Sequence, residues 1–145
     1  MDKTFTKLGE SLVDLEAAWQ DRLADAEALL VAGRHAGAIA TGLYALEIRL
    51  KVAVCKRLDL EGLPKNFEIH DLEGLLLLAG LSRRIERKGA RKVKTNWEAI
   101  LTQSEELNKL RYTGDKNWTH AQAASFLSRL KDPPNGVLPW LSKQR

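Results

Sequence analysis

Apolar residues return every third or fourth position along most of this chain, the 3.6-residue period of a helix with one buried face. From residue 12 the stripe is Leu12, Leu15, Trp19, Leu23, Ala26 and Leu30. It predicts one long helix, bent near Gln20 and ended by Gly33, since glycine readily takes the left-handed conformation that closes a helix. A second stripe, Ala36, Ile39, Ala40, Leu43, Leu46, Leu50 and Val54, predicts a helix over residues 36–58. Ala36, Gly37, Ala40 and Gly42 near its start are small enough for another helix to approach closely. Leu63-Pro64-Lys65-Asn66 breaks the period and reads as a loop. Asp71 is placed to cap a short apolar helix over residues 72–78 that stops near Gly80. Asn96 is placed to cap a third long helix to about residue 111, with Trp97, Ile100, Leu101, Leu107 and Leu110 facing the core. After a turn at Gly114-Asp115, Thr119 can cap a fourth helix with the stripe Ala121, Ala124, Leu127 and Leu130. Pro133-Pro134 closes it, and Val137, Leu138, Trp140 and Leu141 form a final turn against the bundle. No period-2 alternation predicts a strand.

The fold class expected is therefore all-α: four to five helices in one domain spanning residues 1–145, with its core at about residues 10–142. A chain of 145 residues, 44% of them hydrophobic, has room for one core. No apolar run approaches the roughly 20 residues that span a bilayer. The N-terminal MDKTFTKLGE has no apolar secretory segment. With Cys55 as the single cysteine there is no internal disulfide and no multi-cysteine metal site. The expectation is a cytoplasmic protein, with no membrane contact and no cofactor.

Charge changes this picture. The formal net charge of +4 is unevenly spread. Residues 1–80 carry 9 Lys/Arg against 13 Asp/Glu, and residues 81–145 carry 14 against 6. Arg83, Arg84, Arg87, Lys88, Arg91, Lys92 and Lys94 crowd one segment, which contains Gly89 and reads as a partly helical, mobile connection. Such a cluster attracts phosphate backbones. A solvated face explains it about as well.

The run AGRHAGAIATGLYALEIRLKVAVCKRL, the LP that follows, HDLEGLLLLAGL, and then NW, SEELNKLRY and the VLPWL tail resemble, in order and spacing, the HEPN family over roughly residues 20–142. The resemblance implies a compact helical bundle, often a symmetric homodimer, in toxin–antitoxin or phage-defence settings. Some members pair with a small nucleotidyltransferase. Many are metal-independent RNases whose motif is an arginine followed four to six residues later by a histidine at the dimer interface. Arg111, in LRY, stands at the arginine position. The next histidine is His120, with eight residues between them. Either an extended loop folds His120 back or the site is degenerate or altered, and the spacing favours the latter.

The residue types suit RNA. Histidine changes charge between pH 5 and 8 and can move protons. Arginine holds a phosphate with parallel hydrogen bonds. Arg111, His120 and Glu47 are the catalytic candidates. Arg83, Arg84, Arg87, Lys88, Arg91, Lys92, Lys94 and Tyr112 are the nucleic-acid-binding candidates. Glu47 lies on an apolar stripe and needs a cation, Lys51 at i+4 or Arg111; an ion pair that orients helices is the simpler role. Tyr112 and Trp118 could stack on a base, but anchoring the loop is favoured. Arg34-His35 could touch a phosphate, although a helix-terminal charge role is commoner. His70-Asp71 suggests a metal, but with three histidines four sensible ligands cannot be assembled, and Asp71 as a helix cap is simpler. No Gly-rich phosphate loop is present, which argues against ATP hydrolysis. The competing functions are a HEPN-like RNase or RNA binder, a non-catalytic dimerising module that binds a nucleotide or a partner protein, and a generic helical assembly subunit.

Overall fold

A computed structural model describes residues 8–65 and 69–144 of the protein. The N-terminal segment judged non-secretory lies almost wholly outside the described residues, as does Asn66. Six α-helices are present among the described residues: α1 (Leu12–Val31), α2 (His35–Arg57), α3 (Leu72–Leu78), α4 (Arg91–Lys109), α5 (His120–Lys131) and α6 (Val137–Lys143). Two short strands, β1 (Leu8–Ser11) and β2 (Gly62–Pro64), pair antiparallel with Ser11 opposite Gly62. The domain is thus mostly helical with a minor hairpin, not purely α-helical.

The strands correct the loop expected at residues 63–66. Four and three residues are too few to display an alternating pattern. Gly62 permits the pairing, since a Cβ there would lie 2.7 Å from the Glu10 carbonyl oxygen. Leu12 continues the contact by donating its N–H to the Glu61 carbonyl at 2.6 Å.

Ser11 caps α1, its Oγ accepting from the Asp14 N–H at 3.1 Å. The helix runs uninterrupted through Gln20 and ends before Gly33, whose φ is +75°. α1 buries only Leu15 and Ala26 fully; Trp19, Leu23 and Leu30 are half-buried covers over the core. α2 is the central element. Ala38, Ile39, Gly42, Ala45, Leu46, Ile48, Arg49, Leu50, Val52, Val54 and Cys55 are all buried, far more than one stripe, and Ala40 is exposed. The small residues near its start are used inside the chain. Gly37 meets Leu29, and Gly42 meets Phe126 and Leu127.

Asp71 caps α3 by accepting from the Gly74 N–H at 3.1 Å, and Gly80 follows the helix at φ +76°. The basic segment is partly helical, as expected. It forms two 3-10 turns, Arg84–Glu86 and Lys88–Ala90, and then the first turn of α4. Ile85, Ala90 and Val93 pin it to the core. α4 therefore starts five residues before Asn96, which is not its cap. Asn96 instead ties helices together: its Nδ2 donates to the Asn135 carbonyl at 2.9 Å and its Oδ1 accepts from Arg129 Nη1 at 3.0 Å. Thr119 caps α5 in a reciprocal box with Gln122. The buried face of α5 is Ala123, Phe126, Leu127 and Leu130; Ala121 is exposed. α6 closes the core with Val137, Leu138 and Leu141.

Candidate functional site

The loop between α4 and α5 begins with Arg111 and Tyr112, both exposed. The Arg111 guanidinium carbon lies 4.9 Å from the Tyr112 ring centre. Tyr112 is 88% exposed and anchors nothing, whereas Trp118, six residues on, is buried and holds the loop down. Between them Gly114, at φ +73°, opens a 3-10 turn, Gly114–Asn117. Thr113 fixes its entry, donating Oγ1 to the Leu110 carbonyl at 2.7 Å and accepting from Asn117 Nδ2 at 2.8 Å.

This turn presents Asp115 to the start of α2. Its carboxylate accepts from the Ala36 N–H at 2.6 Å and the His35 N–H at 3.3 Å, and it meets His35 Nδ1 at 3.2 Å. No side chain of the preceding residue, Arg34, caps the helix, so the remote carboxylate does so. The backbone N–H of Ala36 is the largest cause holding the Asp115 carboxyl below its ordinary value. The His35 N–H and the nearby charges of His35 and Arg34 add to it, while burial opposes.

His120 is the first residue of α5, and its ring stands edge-on to that of His35, centres 5.9 Å apart at 80°. Two helix N-termini thus bring two imidazoles together. Arg34 and Arg111 supply positive charge on the flanking segments. An Asp–His pair beside a second His can move a proton in each direction without a metal. Among the described residues no group of three or more His, Cys, Asp or Glu side chains is placed to hold a metal ion.

Glu47 belongs elsewhere. It pairs with Lys51 at 3.0 Å and with His70 Nδ1 at 3.2 Å, and both Glu47 and Lys51 are largely buried. It lies twelve residues after His35 on the same helix, about 18 Å along the axis. The three catalytic candidates therefore fall in two places: Arg111 and His120 flank one loop, and Glu47 occupies another part of α2. Of its two expected cations it has Lys51, not Arg111.

The basic segment and Arg111 sit at opposite ends of α4, whose 19 residues span about 28 Å. Lys88, Arg91 and Lys92 line a shallow groove of about 460 Å³ together with Gly89 and Asn135. Lys94 is committed to Glu86 at 2.6 Å and to Glu98 at 3.7 Å. Arg84 Nη1 donates to Gln144 Oε1 at 3.5 Å. Arg83 and Arg87 flank the first 3-10 turn as its N- and C-terminal neighbours.

Sequence reasoning missed the role of Asp115, read only as part of a turn, and left His35 as a helix-terminal residue. No local pattern links them, because the contact crosses 80 residues. It also passed over Arg49, although a lone arginine between Ile48 and Leu50 in an apolar helix was a visible signal.

Comparison of the chain with protein-family models, with curated proteins and with solved structures finds no match in any of the three. What the fold and the cluster define is a helical domain with a minor hairpin, carrying a His–Asp–His arrangement at the junction of α2 and α5. No helix among the described residues is long and apolar enough to cross a membrane.

Proposed function

We propose that this chain is a HEPN-like protein that acts on RNA, as a metal-independent endoribonuclease of the toxin or phage-defence kind. The observation that carries the reading is the His35–Asp115–His120 cluster beside the loop that Arg111 opens. In RNA cleavage one imidazole takes the proton of the 2′-hydroxyl as that oxygen attacks phosphorus. The other gives a proton to the departing 5′-oxygen. The products are a 2′,3′-cyclic phosphate and a free 5′-hydroxyl. Arg111 neutralises the phosphate charge, as a guanidinium does with two parallel hydrogen bonds. The altered arginine–histidine spacing is then bridged by a longer loop, with Asp115 in the loop orienting a second histidine that the usual motif lacks. The groove of Lys88, Arg91 and Lys92 guides the strand along α4.

The reading includes a homodimer, because Val13, Val31 and Leu77 expose large apolar side chains and the HEPN resemblance implies one. It also includes a nucleotidyltransferase as the neutralising partner. Light scattering showing only monomer at high micromolar concentration would remove the dimer.

The experiment is cleavage of single-stranded RNA in the presence of a metal chelator. Cleavage is expected from the unaltered protein, and loss of it from Arg111→Ala, His120→Ala and His35→Ala, with most binding retained. Binding should weaken steeply with salt and, across all sequences, when Arg87, Lys88, Arg91 and Lys92 are neutralised. Undiminished cleavage by His120→Ala rules that residue out. The second reading, a non-catalytic module that binds a nucleotide or partner protein, is favoured by the stacking of Arg111 on Tyr112 in open solvent. Absence of cleavage on every RNA tested would select it.

A further inference from the structure

Away from the α4–α5 loop, the C-terminal half of α2, the end of α3 and α6 enclose a cavity of about 430 Å³. Four cations line it, Arg49, Lys56, Arg57 and Arg84, and no acidic residue does. We propose that this cavity binds a small organic phosphate. The inference goes beyond the RNA-directed reading and does not depend on it.

Arg49 is the central observation. It is 5% exposed, the one buried charged residue among those described, and it sits in the middle of the core helix. Its Nη1 is buried with no hydrogen-bond partner among the described residues. Burying a guanidinium is costly unless its N–H groups are satisfied. The fold compensates only in part. The Trp19 ring lies 5.9 Å from the guanidinium carbon, and burial pushes the group below its ordinary pKa against the single raising influence of Glu16. Glu16 is itself committed to Lys56 at 2.9 Å and to Trp19 Nε1 at 3.0 Å. A buried cation with an idle donor, facing a cavity with no anion in its lining, is built to receive one from outside.

Arg57 forms the second arm. Its guanidinium lies against Gly80, where a Cβ would come within 2.7 Å of Nη1 and 2.8 Å of Cζ and Nε. Nη1 also donates to the Leu78 carbonyl at 3.2 Å, which fixes the plane of the group. Gly80 is therefore required twice, for its φ of +76° and for the space it leaves to Arg57. A guanidinium fixed in this way loses little freedom when it binds an oxyanion.

The chemistry of the ligand follows from the lining. Arginines on two separate turns of α2, with Lys56 beside them, suit a dianion that offers oxygens in several directions, as a phosphate monoester does and a planar carboxylate does not. Ala53, Leu81 and Leu141 supply an apolar wall, and the volume lies within the range of small-molecule sites. The occupant is thus a phosphate carried on an organic body.

The test is calorimetric titration of the full chain at constant ionic strength with inorganic phosphate, adenosine monophosphate and succinate. Saturable binding of both phosphates is expected, tighter for the monophosphate because its body covers the apolar wall, with succinate weaker than either. Arg57→Gln should weaken phosphate binding by about tenfold or more, the worth of one charged hydrogen bond. Arg22→Gln, outside the cavity lining, should leave it unchanged. Arg49→Gln should abolish binding if circular dichroism shows it folded; Arg57→Gln decides the matter if it is not. No saturable binding of phosphate, equal losses in Arg57→Gln and Arg22→Gln, or succinate binding as tightly as phosphate would each overturn the proposal. RNA cleavage by the same preparations reports on the α4–α5 loop separately, so failure of one reading leaves the other visible.

Discussion

The carboxylate of Asp115 accepts the backbone N–H of Ala36 at 2.6 Å, capping α2 from a loop 79 residues away in sequence. A helix usually finds its cap in the residue just before it. Here that residue is Arg34, whose side chain can only donate. One contact therefore does two things. It satisfies the start of the central helix, and it locks the α4–α5 loop beside His35 and His120.

Removing the Asp115 charge should show in acid. The folded carboxyl lies below its ordinary value, so the contribution to stability is full above about pH 4 and is lost as pH falls through the depressed value. Asp115→Asn should be less stable at neutral pH, and its stability should fall less steeply on acidification below pH 4. Circular dichroism across an acid titration checks this. Parallel curves for the two proteins would show that the carboxylate is not the source.

The Glu47–Lys51 pair is 3.0 Å long, with side chains 18% and 12% exposed. Glu47→Ala strands Lys51 in a poorly solvated place and should cost about 1–3 kcal/mol. Replacing both by leucine should recover most of that, since no lone charge is left behind. Urea unfolding measures both. A double variant no better than the single one would assign the loss to packing.

Gly42→Ala tests the contact of α2 with α5. The added Cβ would lie 2.7 Å from Phe126 Cε1 and 3.2 Å from Leu127 Cδ2. Alanine favours a helix by about 1 kcal/mol over glycine. Overpacking a filled core costs about 1–3 kcal/mol, so net destabilisation is expected. A rise in the unfolding midpoint would mean that the Phe126 ring moves aside freely.

Cys55 is fully buried, and burial pushes its thiol up from its ordinary value. The thiolate is the reactive form, so the folded protein should react with an aromatic disulfide reagent only slowly. Denaturant should release the full rate. Rapid labelling of the native chain would show that the middle of the bundle opens readily.

Much of the fold is legible along the chain because helices are local objects. The end of α1 follows from Gly33, the start and end of α3 follow from Asp71 and Gly80, and Thr119 marks the start of α5, since caps and turns depend on neighbouring residues. Where a polar residue has two possible partners, local reading fails. Asn96 has the chemistry of a cap, but the buried faces of Ile85, Ala90 and Val93 begin the helix earlier, and its amide bonds to Asn135 and Arg129 instead. The face of α5 shifted for a similar reason: Phe126 fills the space above Gly42, and that turns Ala121 outward.

The sequence by itself determined the helical class, the helix over residues 36–58, the basic second half and Lys51 as one of two cations open to Glu47, because periodicity, charge and i, i+4 spacing act over a few residues. Tertiary structure alone decided that Asp115 reaches His35, that His35 meets His120 and that Arg49, Arg57 and Gly80 share one cavity. Those contacts join segments far apart in the chain, and their distances follow from how whole helices pack around α2, which no local pattern encodes.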